Sequence, residues 1–208
     1  MDARDLYAWL MQGKNPGACS GFDAHVLACV LALAVVEAEG DGQALLDALG
    51  LERSVLLSLL AEHFPGANPL FERNIPGDAV LSFESDELCL RDLFSRFRSD
   101  QSALQECLGC IVARRCQRPN HLWQDLGLRN RRELSWLMER HFGFLFQKNQ
   151  GDMKWKKFLY RTICRDDGFS ICTSPSCAEC DDFEDCFGDE GGESLLAKAR
   201  RSAELGSN

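Results

Sequence analysis

The sequence predicts an all-α domain built from two pseudo-repeated helical hairpins, followed by an irregular C-terminal cysteine loop with the makings of a metal site. Three observations predict it. Apolar residues recur at helical spacing between Gly and Pro breaks through the first three quarters of the chain. One helix-turn-helix pattern occurs twice. The only strand-like run, Val80 to Phe83, is too short to found a sheet.

Element by element, Asp23 to Ala38 is apolar nearly all round, with a side-chain cap at its start and Gly40 beyond its end, and reads as a core helix. Helices follow at about 43–49, 53–63, 86–97, 102–116, 131–142 and 152–164. Pro65, Gly66, Pro69, Pro76 and Gly77 mark 64–84 as the best linker candidate. The repeat pairs about 23–64 with 102–142. Leu27-Ala-Cys-Val-Leu-Ala aligns with Leu108-Gly-Cys-Ile-Val-Ala, the Leu49-Gly-Leu turn with Leu126-Gly-Leu, and His63-Phe64 with His141-Phe142. Two hairpins about a pseudo-twofold axis would produce this pattern. The expected organisation is a helical domain over 1–165, an acidic cysteine-rich metal-binding loop over 166–193, and a tail over 194–208.

Charge is arranged in blocks beneath a net of −9. Residues 111–165 hold thirteen Lys and Arg against four Asp and Glu, whereas 166–193 hold ten Asp and Glu and no Lys or Arg. Eleven cysteines, an odd number, and a first segment without a basic and then apolar leader argue for a cytoplasmic protein with reduced thiols over a disulfide framework. The longest apolar run, Val26 to Val36, is about half the ~20 residues needed to cross a bilayer.

Four of those cysteines fall within fifteen residues as Cys172, Cys177, Cys180 and Cys186, a C-x4-C-x2-C-x5-C array. Thiolate is a soft ligand that selects zinc, copper(I) or an iron-sulfur cluster over magnesium or calcium. Structural zinc usually uses two Cys pairs separated by a longer spacer, which is missing here, and a single compact loop is closer to how iron-sulfur clusters are wrapped. Cluster, zinc and unliganded cysteines all stay open on spacing alone. Ten carboxylates beside four thiolates would repel one another strongly, so order in this loop is expected to depend on metal.

The other candidates have plainer readings. Cys19, Cys29 and Cys89 lie in apolar helical context as small core residues. Cys107, Cys110 and Cys116 leave a second, partial site open, although Cys110 aligns with Cys29 as a core position would. His63 and His141 end their helices, where an imidazole favours the C-terminal dipole. His121 reads as a turn or cap residue. Neither a Gly-rich phosphate loop nor a nucleophile with an identifiable base appears, so hydrolase chemistry has no support. In 152–164, Trp155, Phe158, Leu159, Thr162 and Ile163 should face the core, leaving Lys154, Lys157 and Arg161 on a cationic stripe with Lys156 beside it. Because this helix leads into the acidic loop, the four cations are expected to compensate an anionic cluster.

The segments His121-Leu-Trp-Gln-Asp-Leu-Gly-Leu128, Arg132-Glu-Leu-Ser-Trp-Leu-Met138, Arg140-His-Phe142, Asp152-Met-Lys-Trp-Lys-Lys-Phe158 and Pro175-Ser-Cys-Ala-Glu-Cys-Asp-Asp-Phe183, with Cys186-Phe-Gly188, resemble the nitrogen-fixation family NifQ. The resemblance is dense over 107–190 and weaker in the N-terminal half. It implies a molybdenum donor for the nitrogenase iron-molybdenum cofactor, carrying the metal in a molybdenum-iron-sulfur cluster on Cys172, Cys177, Cys180 and Cys186. It further implies the cofactor-assembly scaffold and the nitrogenase reductase as partners, molybdate or an iron-sulfur precursor as input, and no turnover chemistry. Nucleic acid and membrane are not expected partners. The competing readings are a zinc-stabilised helical protein that uses the basic helix on nucleic acid or an acidic partner, and a one-electron iron-sulfur protein.

Overall fold

A computed structural model describes residues 2–76, 80–166, 188–192 and 194. Among them every regular element is a helix: α1 (Ala3–Gln12), α2 (Gly21–Glu37), α3 (Gly42–Leu49), α4 (Arg53–His63), α5 (Asn68–Asn74), α6 (Ser85–Arg96), α7 (Ala103–Cys116), α8 (Leu122–Asp125), α9 (Arg131–His141), α10 (Gly143–Lys148) and α11 (Trp155–Asp166). None is long and apolar enough to cross a membrane among the described residues.

The centre is α2, buried from Val26 through Ala34 without interruption, as its unbroken apolar sequence requires. Its cap is Ser20, whose Oγ accepts from the Asp23 N–H at 3.1 Å, rather than Asp23 itself. That frees Asp23 for a long-range contact. Helix α1 packs along α2 and α6 along α7, while α3 and α4 meet α7. Leu6 and Leu10 of α1, Leu90, Leu93 and Phe94 of α6, and Leu108, Ile111 and Val112 of α7 fill the space between.

The expected linker at 64–84 needs correction. Pro69 lies in the first turn of α5, where its missing N–H costs nothing, and Phe64, Ala67, Phe71 and Ile75 are all buried. The first part of this stretch is core, and 77–79 lie outside the described residues.

The two aligned segments share local details. Gly50 and Gly127, which close the Leu-Gly-Leu turns, have φ of 64° and 72°, a left-handed conformation that glycine adopts without penalty. Phe64 and Phe142 both leave their helices with φ near −140° (−139° and −136°) and are fully buried. The carbonyl of His63 accepts from the Asn15 N–H at 2.8 Å, and that of His141 from the Ser99 N–H at 2.9 Å. Contacts also run between the segments: α2 meets α9 through Asp23 and His141, His25 and Glu133, and the edge-to-face rings of Phe22 and Trp136.

Candidate metal centre

Cys172, Cys177, Cys180 and Cys186 lie outside the described residues. What the structure does place is the body from which their segment departs, the point to which the chain returns, and six other thiols.

Those six form no disulfide. Burial pushes the Cys107 thiol up to about 11 and Cys116 up to about 12, and also raises Cys29. These three are therefore protonated near neutrality in the metal-free body. Cys107 and Cys110 line a cavity of about 650 Å³ bounded by Leu59, His63, Phe83 and Leu104, and Cys116 is not among its walls. Cys116 instead lies near Lys156 and Asp125. The partial site left open for Cys107, Cys110 and Cys116 does not assemble, and among the described residues no three His, Cys, Asp or Glu side chains are grouped to hold a metal.

The histidines also differ from the plain reading. His141 ends α9, but its Nε2 meets Asp23 Oδ1 at 2.9 Å inside the body, with Arg140 Nε 3.1 Å from the same oxygen. Burial would raise the Asp23 carboxyl. The hydrogen bonds from His141 and Ser20 and the charges of His141 and Arg140 outweigh it and hold the carboxyl below its usual range. His63 is buried with Nδ1 unpartnered among the described residues, and burial lowers its pKa.

Helix α11 leads into the cysteine segment. Trp155, Leu159 and Ile163 are buried, Phe158 and Thr162 half-buried, as the spacing requires. The cationic stripe is narrower than expected. Lys156 turns inward: its Nζ sits 2.5 Å from Asp125 Oδ2 and also donates to the Arg118 carbonyl. Asp125 is 2 % exposed, so this ion pair belongs to the α8–α11 junction. Lys154 and Arg161 are half-buried and already engaged with other groups, and Lys157 is exposed.

The return point gathers residues that the sequence reading missed. Arg131, the first residue of α9, places Nη2 2.8 Å from both the carbonyl and Oδ1 of Asp152 and 2.9 Å from the Met153 carbonyl. Its Nη1 lies 2.8 Å from Glu190 Oε2. The Glu190 side chain is 5 % exposed, and its Oε1 is 3.5 Å from His121 Nδ1. Arg131 stands in a basic block and Glu190 in an acidic one, and no spacing rule pairs residues so far apart.

The NifQ family model matches residues 26–188. A NifQ homolog from Sinorhizobium fredii is 37 % identical over 174 residues, covering 83 % of this chain and 75 % of its own length. NifQ of Azotobacter vinelandii is 34 % identical over 171 residues, covering 75 % of this chain and 86 % of its own. NifQ of Klebsiella pneumoniae is 52 % identical over 69 residues, a third of this chain. No solved structure matches the chain. The family match spans the helical body from within α2 onward and all four cysteines of the array, and the chain belongs to the NifQ family.

Proposed function

We propose that this protein carries molybdenum in a molybdenum-iron-sulfur cluster held by Cys172, Cys177, Cys180 and Cys186, and donates it for assembly of the nitrogenase iron-molybdenum cofactor. The observation that carries the reading is the C-x4-C-x2-C-x5-C array lying inside the family match. Molybdate is a hard oxyanion that ten carboxylates would repel, whereas molybdenum bound among sulfides is soft and suits thiolate ligands. The cluster is cargo, and the protein turns nothing over. Its partners are the cofactor-assembly scaffold and the nitrogenase reductase, met in the cytoplasm.

On this reading the helical body is a stable platform of two repeated halves, and the acidic cysteine segment is a separate metal-dependent unit. Lys157, with Lys154 and Arg161 at the margin, offsets part of the cargo's negative charge, while Lys156 serves the platform. Anaerobic purification with metal and sulfide analysis tests the reading. Molybdenum, iron and sulfide together support it, and replacing any one of the four array cysteines by Ser should lower all three. Iron and sulfide without molybdenum would instead make the chain a one-electron carrier. Zinc alone would make it a zinc-stabilised interaction protein.

A further inference from the structure

One side chain links the turn before α11 to the chain beyond the cysteine array. Arg131 holds the Asp152–Met153 turn, two residues before α11 begins, through three contacts of one nitrogen, and holds Glu190, four residues after Cys186, through the other. The lead-in turn is itself set for this. Asp152 adopts a left-handed backbone with φ of 53°, presenting its carbonyl and its carboxylate to the same guanidinium nitrogen. Asn149 braces the next residue from both sides, donating from Nδ2 to the Met153 carbonyl at 2.9 Å and accepting from the Met153 N–H at 3.0 Å. On the return side, the Glu190 side chain is buried between Arg131 and His121, and Gly192, with φ of 135°, passes so close to Gln124 that a Cβ there would lie 3.0 Å from its Nε2.

We infer that Arg131 is a positioning residue that joins the turn before α11 to Glu190 beyond the cysteine array, so that cargo retention depends on it. The inference rests on the proposed carrier function. Its physical basis is the guanidinium itself. A planar fork donates in fixed directions to the Asp152 carboxylate and two carbonyls while its other nitrogen pairs in charge with Glu190, which the single ammonium of lysine cannot do. Helix α11 is docked through Trp155, Leu159 and Ile163, and fixing the return point to the same body lowers the ordering cost that the four ligands must meet on binding metal. Losing the tether should therefore speed cargo loss by about tenfold or more, the factor carried by one charge-assisted hydrogen bond.

The test uses the full chain reconstituted anaerobically with iron and sulfide, and reads two quantities. The first is amide exchange at 152–154 and 188–192 before reconstitution. The second is the rate at which a chelator strips iron afterwards. Arg131→Gln should accelerate exchange in both windows and iron loss about tenfold. Glu190→Gln should accelerate exchange only at 188–192. Arg131→Lys should restore part of both. Leu56→Ala, a core change in α4, serves as a control that lowers the melting temperature without touching the tether, and its iron loss should match the parent. Unchanged exchange in Arg131→Gln, or iron loss that simply follows melting temperature across Arg131→Gln and Leu56→Ala, overturns the inference. Iron retained when the four array cysteines are Ser overturns the carrier reading instead, and the exchange measurement then still decides the tether.

Discussion

Gly50 and Gly40 form a controlled comparison of what a single methyl group costs. Both have positive φ, 64° and 89°, so alanine at either pays the left-handed penalty of about 1–2 kcal/mol. At Gly40 an added Cβ would meet nothing within 4 Å. At Gly50 it would lie 2.6 Å from Arg91 Nη2 and 2.7 Å from Arg114 Cβ. Arg114 Cβ is fixed to α7 and cannot swing away. Arg91 can, but only by giving up its 2.6 Å bond to the Gly50 carbonyl and straining its 2.8 Å pair with Glu87, a carboxylate 1 % exposed. Weakening that buried pair adds about 1–3 kcal/mol. Gly50→Ala should thus cost about 2–5 kcal/mol against about 1–2 for Gly40→Ala. At roughly 2–4 °C per kcal/mol for a chain of this size, thermal unfolding should fall by about 4–20 °C and 2–8 °C respectively. Asparagine separates the causes, because it tolerates left-handed backbone: Gly40→Asn should be near neutral and Gly50→Asn still severe. Equal losses at the two positions in circular-dichroism melts would refute the crowding argument.

Acid should weaken the α2–α9 contact first. Asp23 and Glu133 both have depressed folded values despite burial, Asp23 through His141 and Ser20, and Glu133 through His25 and the Arg129 N–H. Their stabilisation is present above the ordinary carboxylate range and is lost as pH falls through their lowered values, so a denaturant midpoint followed from pH 6 to 3 should drop, and Asp23→Asn should flatten that drop. Lys156→Gln should cost about 1–3 kcal/mol by stranding buried Asp125, whereas Lys157→Gln should leave the melt unchanged and act only on molybdenum loading at low salt. Chelating the metal should leave helical circular dichroism intact, because the body has its own core from Leu6 to Ile163; a global loss of helix would show that the fold depends on metal.

Much of this body was legible because its helices are long enough to show their period. Helix α4 begins and ends where the sequence places it, and α2, α3, α6, α7 and α9 agree to within two residues. Helices α8 and α10, of four and six residues, are too short for periodicity to register. Helix α5 hides behind Pro65, Gly66 and Pro69, which read as breakers although Pro69 opens a helix. The failures at the site have another cause. The pairing of Asp23 with His141 spans 118 positions and that of Lys156 with Asp125 spans 31, and nothing local to either residue announces its partner. Lys156 reads from sequence as a neighbour of the cationic stripe because helical spacing gives the direction of a side chain, not what meets it there.

On the proposed function, buried thiols of the body bear on how a chain with eleven cysteines could favour its C-terminal array for a soft metal. A thiol must lose its proton to bind, and each pKa unit above ambient pH costs about 1.4 kcal/mol. With values pushed to about 11 and about 12, Cys107 and Cys116 would each require about 5–7 kcal/mol at pH 7 before any metal bond forms. An ordinary cysteine near 8.5 requires about 2 kcal/mol. The difference, several kcal/mol for every ligand, multiplies over a set of three or four thiolates. It is also reinforced by geometry, since Cys107 and Cys110 open onto a cavity that Cys116 does not reach. The same burial that makes these cysteines good core residues therefore removes them as competitors. On the proposed function, the C-terminal array would gain selectivity from the burial of these thiols.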